Sequence, residues 1–177
     1  RNAWRAPFHL KKSWLSREIL FFGLFGAGWL AGFVLPEMKW ITSLIGVGLI
    51  YSMAQVYRLH AMPAWDTWRT TVGFFVTSIL LGQLLMMNLL QGGEWGVIAV
   101  LLAVELAMML SAKPKTRWTV NRLRVGLIAA AMLGAGIMLV TPNLPGMWLS
   151  LPILLLVLAE EIIGRGLFYE ALHEKIL

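Results

Sequence analysis

The chain has 177 residues, 59% of them hydrophobic and only 14% charged, and its mean hydropathy is +0.74. An ordinary soluble domain is about 45–50% apolar and about 25% charged, so a globule of this size has no interior large enough for the surplus, and lipid is the expected solvent. There are no cysteines, which excludes a disulfide scaffold, iron–sulfur ligation and thiol chemistry within this chain. The net charge of +6 would suggest nucleic acid in a soluble protein. Here the basic residues sit between long apolar runs and set orientation in a membrane instead, so no nucleic-acid partner is expected.

A hydrocarbon core of about 30 Å needs about 20 helical residues. Six apolar runs of that order are legible, and the expected fold is an all-α polytopic membrane bundle in a single membrane-anchor domain, residues 1–177. The first helix is expected at Trp14–Leu35, ended by Pro36-Glu37, and the second at Trp40–Tyr57. The third is expected at Thr70–Leu90, before Gln91-Gly92-Gly93, and the fourth at Trp95–Ala112, before Lys113-Pro114. The fifth covers Trp118–Val140, stopped by a segment holding Pro142 and Pro145, and the sixth covers Trp148–Tyr169. Proline and glycine break helices and mark the turns. Trp14, Trp40, Trp95, Trp118 and Trp148 stand at helix starts, where an amphipathic indole prefers the headgroup layer.

With six helices, one side of the membrane carries 14 of the 15 Lys and Arg residues and the other carries Lys39 alone. The positive-inside rule places the 14-residue side in the cytoplasm of a cell inner membrane. A rival cause of the same asymmetry is docking of an acidic partner subunit on the basic loops, whichever side that is. The longest connection, Arg58–Arg69, has two Trp, two Arg and one Asp, which suits an interfacial segment. No internal repeat or soluble domain is visible.

Ionisable groups inside a membrane are costly, and each is a functional-site candidate. Glu18 follows Arg17 in the first turns of helix one. A carboxylate at the membrane rim beside cations can accept a proton from a lipid-phase donor; the plainer reading is an acid favoured at a helix start. Glu105 has no charged neighbour in its own sequence and is expected to face the bundle, as a hydrogen bonder or as a functional group. Glu161 and Arg165 are spaced i and i+4 with the acid first, the favourable order for a structural ion pair. Glu160 is left over, to reach another helix or the interface. Together Glu105 and Glu160 are a possible intramembrane polar site. The spacing Gly28-x-x-x-Gly32 reads as close helix packing.

The histidines argue against a haem. Membrane haems take axial imidazoles at depth, whereas His9, His60 and His173 lie outside the spans. No metal-ligand spacing, phosphate-binding glycine loop or nucleophile–base pair is present, so no metal is expected in this chain.

These residues resemble a known family. The run Ser13-Trp14-Leu15-Ser16-Arg17-Glu18-Ile19 is similar to the start of the third helix in membrane anchor subunits of the dimethyl sulfoxide reductase family. The stretch Tyr57-Arg58, Pro63-Ala64-Trp65, Trp68 and Gly73-Phe74-Phe75 resembles that family's central loop and following helix. Val104-Glu105-Leu106-Ala107 and Glu161-Ile162-Ile163-Gly164-Arg165-Gly166-Leu167-Phe168-Tyr169 resemble its later helices, the last being the most specific motif. The resemblance implies eight helices in the full protein, of which two would precede this chain, with Arg1–Pro7 ending the connection after them. Arg1 in place of Met agrees with that expectation. It also implies menaquinol binding and oxidation in anaerobic respiration, with Glu18 the matching acidic residue and Arg17 and Trp14 beside it. No haem is implied. The implied partners are an iron–sulfur electron-transfer subunit with four clusters, docking on the basic loops, and a molybdopterin catalytic subunit. The strongly basic connection Lys113–Arg124 departs from the better-known members.

Three functions follow as expectations. The first is a quinol-oxidising anchor that is not itself the catalytic subunit of its oxidoreductase complex. The second is a proton-coupled transporter using Glu105 and Glu160, against which stands the lack of an inverted repeat. The third is an inert membrane tether. The terminal substrate is not legible.

Overall fold

A computed structural model of the chain describes residues 13–58, 66–90, 92–111, 118–141 and 147–173. Six α-helices make up the described residues, with no strand among them: α1 Trp14–Ala31, α2 Met38–Tyr57, α3 Trp68–Leu90, α4 Trp95–Ser111, α5 Trp118–Val140 and α6 Met147–His173. Helices α2, α3 and, over Thr119–Val140, α5 are long and apolar enough to cross a membrane, and α4 is a shorter apolar helix. Large apolar side chains lie open on the outside, among them Val140, Val34, Leu89 and Phe22. Lipid is the solvent in which such a surface is stable, and the chain is a multi-pass membrane helix bundle.

Two helix ends differ from the sequence reading by more than two residues. Helix α1 stops at Ala31 rather than Leu35, because the backbone tightens there into short turns: Phe33 N–H donates to Leu30 and Val34 N–H to Ala31. Helix α6 runs on to His173, and Pro152 sits inside it without ending it. Proline removes one backbone donor, here the one that would reach the carbonyl of residue 148, and the helix continues past it. Between α3 and α4, Gly93 takes φ +121°, a conformation that side chains with a Cβ rarely adopt.

The chain divides into two compact units, Arg1–Phe75 and Val76–Leu177, with the boundary inside α3. In the first unit α1 packs along α2. The contact is made by glycines receiving larger side chains. A Cβ at Gly28 would lie 2.6 Å from Thr42 Oγ1, and one at Gly48 would lie 2.7 Å from the Phe21 ring. Of the glycines in the α1 stripe, Gly28 does the packing, while Gly32 caps the helix and Gly23 and Gly26 face open space. Between lipid-facing helices there is no hydrophobic gain on contact, so close approach of this kind is what holds them.

The second unit packs α4 against α5 and α5 against α6. Its core is Leu80 and Leu84 from α3, Ile98, Leu102 and Met109 from α4, Ile128, Ala131 and Ala135 from α5, and Ile153, Leu154 and Val157 from α6. Apart from the adjacent pair Ile153 and Leu154, the members of each set are three, four or seven residues apart, which lays them on one helix face.

Candidate functional sites

The first site grows from the start of α1. Ser13 caps the helix, its side chain accepting from Ser16 N–H. Ser16 is fully buried, which turns that face inward and leaves Trp14 and Leu15 outward. The Trp14 ring meets Tyr51 of α2 edge-on, with ring centres 5.7 Å apart. Arg17 lies over the same indole, its guanidinium carbon 4.2 Å from the ring centre. Arg and Trp make the strongest pairing of this kind. Glu18 is half-buried one turn into the helix, with no ion pair or side-chain hydrogen bond among the described residues. The structure thus brings Trp14, Arg17 and Glu18 onto one short segment, with the cation engaged by the indole and the carboxylate open to a third party.

An open groove of about 410 Å³ lies at the far end of the same helix pair, lined by Phe25, Trp29, Phe33, Lys39, Thr42 and Ser43. Eleven residues separate Glu18 from Trp29, about 16 Å along a helix, so the groove is not part of the Glu18 site.

The second site lies in the other unit and is a polar layer closing the core. The buried stripes continue into it: Ile98, Leu102 and Met109 share their face with Glu105, Ile153 and Val157 with Glu160, Ile128 with Arg124, and Leu80 and Leu84 with Thr77. Glu160 is 0% exposed and Glu105 6%. Arg124 Nε donates to Glu160 Oε1 at 2.7 Å, and Arg124 Nη2 lies 2.6 Å from the same oxygen. Thr77 Oγ1 donates to Glu161 Oε1 at 2.5 Å, and Glu161 Oε2 faces Arg165 Nε at 3.7 Å. Carboxylate oxygens of Glu105, Glu160 and Glu161 lie within 4.8 Å of one another. The layer depends on a close approach, since a Cβ at Gly164 would lie 2.6 Å from Arg124 Nη2.

Spacing within α6 pairs Glu161 with Arg165 and leaves Glu160 without a partner, and sequence position alone groups Arg124 with the basic residues of the fourth connection. The structure places Arg124 inside α5, turned into the bundle as the partner of Glu160. The missed signal was the core stripe: position 124 is one helical turn before Ile128, and 105 falls between 102 and 109. Of the basic segments expected to dock a partner, residues 1–12, 59–65 and 112–117 lie outside the described residues. Arg58 is held by Asp66, with Nη2 2.9 Å and Nε 3.0 Å from Oδ1.

Comparison with known proteins covers most of the chain. Residues 2–113 match the model of the DMSO reductase anchor subunit (DmsC) family. The chain is 29% identical to the C subunit of the anaerobic dimethyl sulfoxide reductase of Escherichia coli (strain K12), over 92% of this chain and 69% of that one. It is 26% identical to the anaerobic dimethyl sulfoxide reductase subunit YnfH of the same organism, over 93% of this chain and 70% of that one. No solved structure matches. The family match covers more than half of the chain and includes the whole Trp14–Glu18 segment, and the chain belongs to the DMSO reductase anchor subunit family.

Proposed function

We propose that the chain is the membrane anchor of a molybdoenzyme complex in a cell inner membrane, and that it oxidises menaquinol for that complex. Family membership supports the anchor role. The observation that carries the quinol reading is Glu18: a half-buried carboxylate at the head of α1, without a partner of its own among the described residues, beside an arginine engaged by Trp14. Quinol oxidation releases protons, and a carboxylate at the membrane rim within hydrogen-bond reach of a quinol hydroxyl serves as the general base. Trp14 and Arg17 supply a flat, cationic wall beside it. The electrons leave to an iron–sulfur subunit seated on the basic loops, and from there to a molybdopterin catalytic subunit. The loops are cytoplasmic by the positive-inside rule.

Glu18→Gln keeps the shape of the side chain and removes the base. In the purified complex this variant should assemble normally and still reduce substrate from a reduced viologen dye, which feeds the catalytic subunit directly, while losing turnover from menaquinol. Normal menaquinol turnover would refute the role of Glu18. A wild-type complex with viologen-driven turnover but no turnover from menaquinol, and no response to a quinone-analogue inhibitor, would favour an inert tether. The carrier reading rests on Glu105 and Glu160, and solute uptake by liposomes holding this chain alone would be its support.

A further inference from the structure

The polar layer of the second unit does not balance. Three carboxylates converge there, Glu105, Glu160 and Glu161, and two guanidinium groups meet them, Arg124 from α5 and Arg165 from α6. With every group ionised, one negative charge is left over among these described residues, in a place where Glu160 is fully buried and Glu105 nearly so. An unbalanced charge of that kind in low dielectric is costly. From α3 the hydroxyl of Thr77 reaches the layer and donates to Glu161. Arg122, also on α5, is exposed and has an interaction of its own.

A second observation points the same way. Glu105 Oε2 and Glu160 Oε2 are both buried and have no hydrogen-bond partner. Buried polar atoms are satisfied in more than about nine cases in ten, so two orphaned oxygens in one layer mark a place for a positive ligand. The donors are all oxygen, the preference of a hard cation. Their mutual spacing, within 4.8 Å, is what oxygens take around a hard ion at about 2.3–2.6 Å. A divalent ion would overshoot the balance by one charge.

We propose that Glu105, Glu160 and Glu161 form a buried site for one exchangeable monovalent cation, a proton or a sodium ion, held by carboxylate oxygens inside the α3–α6 bundle. The site does not rest on the quinol reading, since no residue of the α1 segment enters it. Arg124 and Arg165 hold two of the three carboxylates in place, and the cation neutralises the third.

The test uses the full-length chain in its purified membrane complex, as wild type, Glu105→Gln, Glu161→Gln and, as a control at the exposed turn before α4, Glu94→Gln. Glu105→Gln and Glu161→Gln each remove the surplus charge and leave the Arg124–Glu160 pair intact. Two probes are read: binding of radioactive sodium with choline as the replacement ion, and the infrared stretching band of a protonated carboxyl. If the occupant is sodium, wild type and Glu94→Gln bind about one ion per chain, and the other two variants bind none. If it is a proton, wild type and Glu94→Gln show the band, and the other two variants lose it. Absence of both signals in wild type, or their survival in Glu105→Gln and Glu161→Gln, overturns the proposal.

Discussion

Arg124→Met is the sharpest probe of the polar layer. Methionine keeps most of the length of the side chain and removes the charge. Glu160 is 0% exposed and the Arg124 side chain 24%, so the substitution leaves a buried carboxylate with no counter-charge. Breaking a buried pair from one side costs about 3–5 kcal/mol. The pair Glu161–Arg165 is the internal reference: its arginine is 44% exposed and its separation is 3.7 Å, so Arg165→Met should cost about 0–1 kcal/mol. The expected gap of about 3 kcal/mol is about a hundredfold in the unfolding equilibrium. Detergent-driven unfolding of the purified chain, followed by tryptophan fluorescence, reads it. Replacing both partners, Arg124→Met with Glu160→Leu, should recover most of the loss, since a whole buried pair exchanged for apolar groups is often neutral. Equal losses for Arg124→Met and Arg165→Met, or no recovery in the double variant, would refute the burial argument.

Gly164→Ala should destabilise by about 1–3 kcal/mol, because its Cβ would meet the guanidinium that Glu160 holds, and the loss should shrink in the Arg124→Met background, where nothing pins the side chain. Gly28→Ala places a methyl 2.6 Å from Thr42 Oγ1 and should cost about 1–3 kcal/mol by the same unfolding assay, whereas Gly26→Ala meets open space and should be neutral or slightly stabilising. For Glu18→Gln the outcome is a split between donors: menaquinol turnover lost, viologen-driven turnover retained.

The helices were legible because the physics that makes them is local. A run of about 20 apolar residues bounded by tryptophan, proline and glycine has few alternatives in lipid. The end of α1 was not legible, because Phe33, Val34 and Leu35 continue the apolar run while the backbone has already left the helix at Gly32. The ion pair Glu161–Arg165 could be read from spacing within one helix. The partner of Glu160 could not be read that way, since 36 residues separate it from Arg124 and the pairing depends on α5 lying along α6. Arg124 also looked like a loop charge, because it follows Lys113, Lys115, Arg117 and Arg122. Its register with Ile128, Ala131 and Ala135 was the clue to its direction, and Glu105 carried the same clue in its register with Ile98, Leu102 and Met109. The setting of Glu18 followed from its neighbours in sequence, but the contact of Trp14 with Tyr51 needed the packing of α1 on α2.

If this chain anchors a molybdoenzyme complex in the membrane, that complex is recovered with it. The most direct measurement is elemental analysis of the material that co-purifies with the affinity-tagged full-length chain from detergent-solubilised membranes of anaerobically grown cells. Molybdenum, or tungsten in its place, is expected together with iron, in fixed ratio to the chain. A chain that is recovered intact and pure from those membranes, free of all three metals, would contradict it.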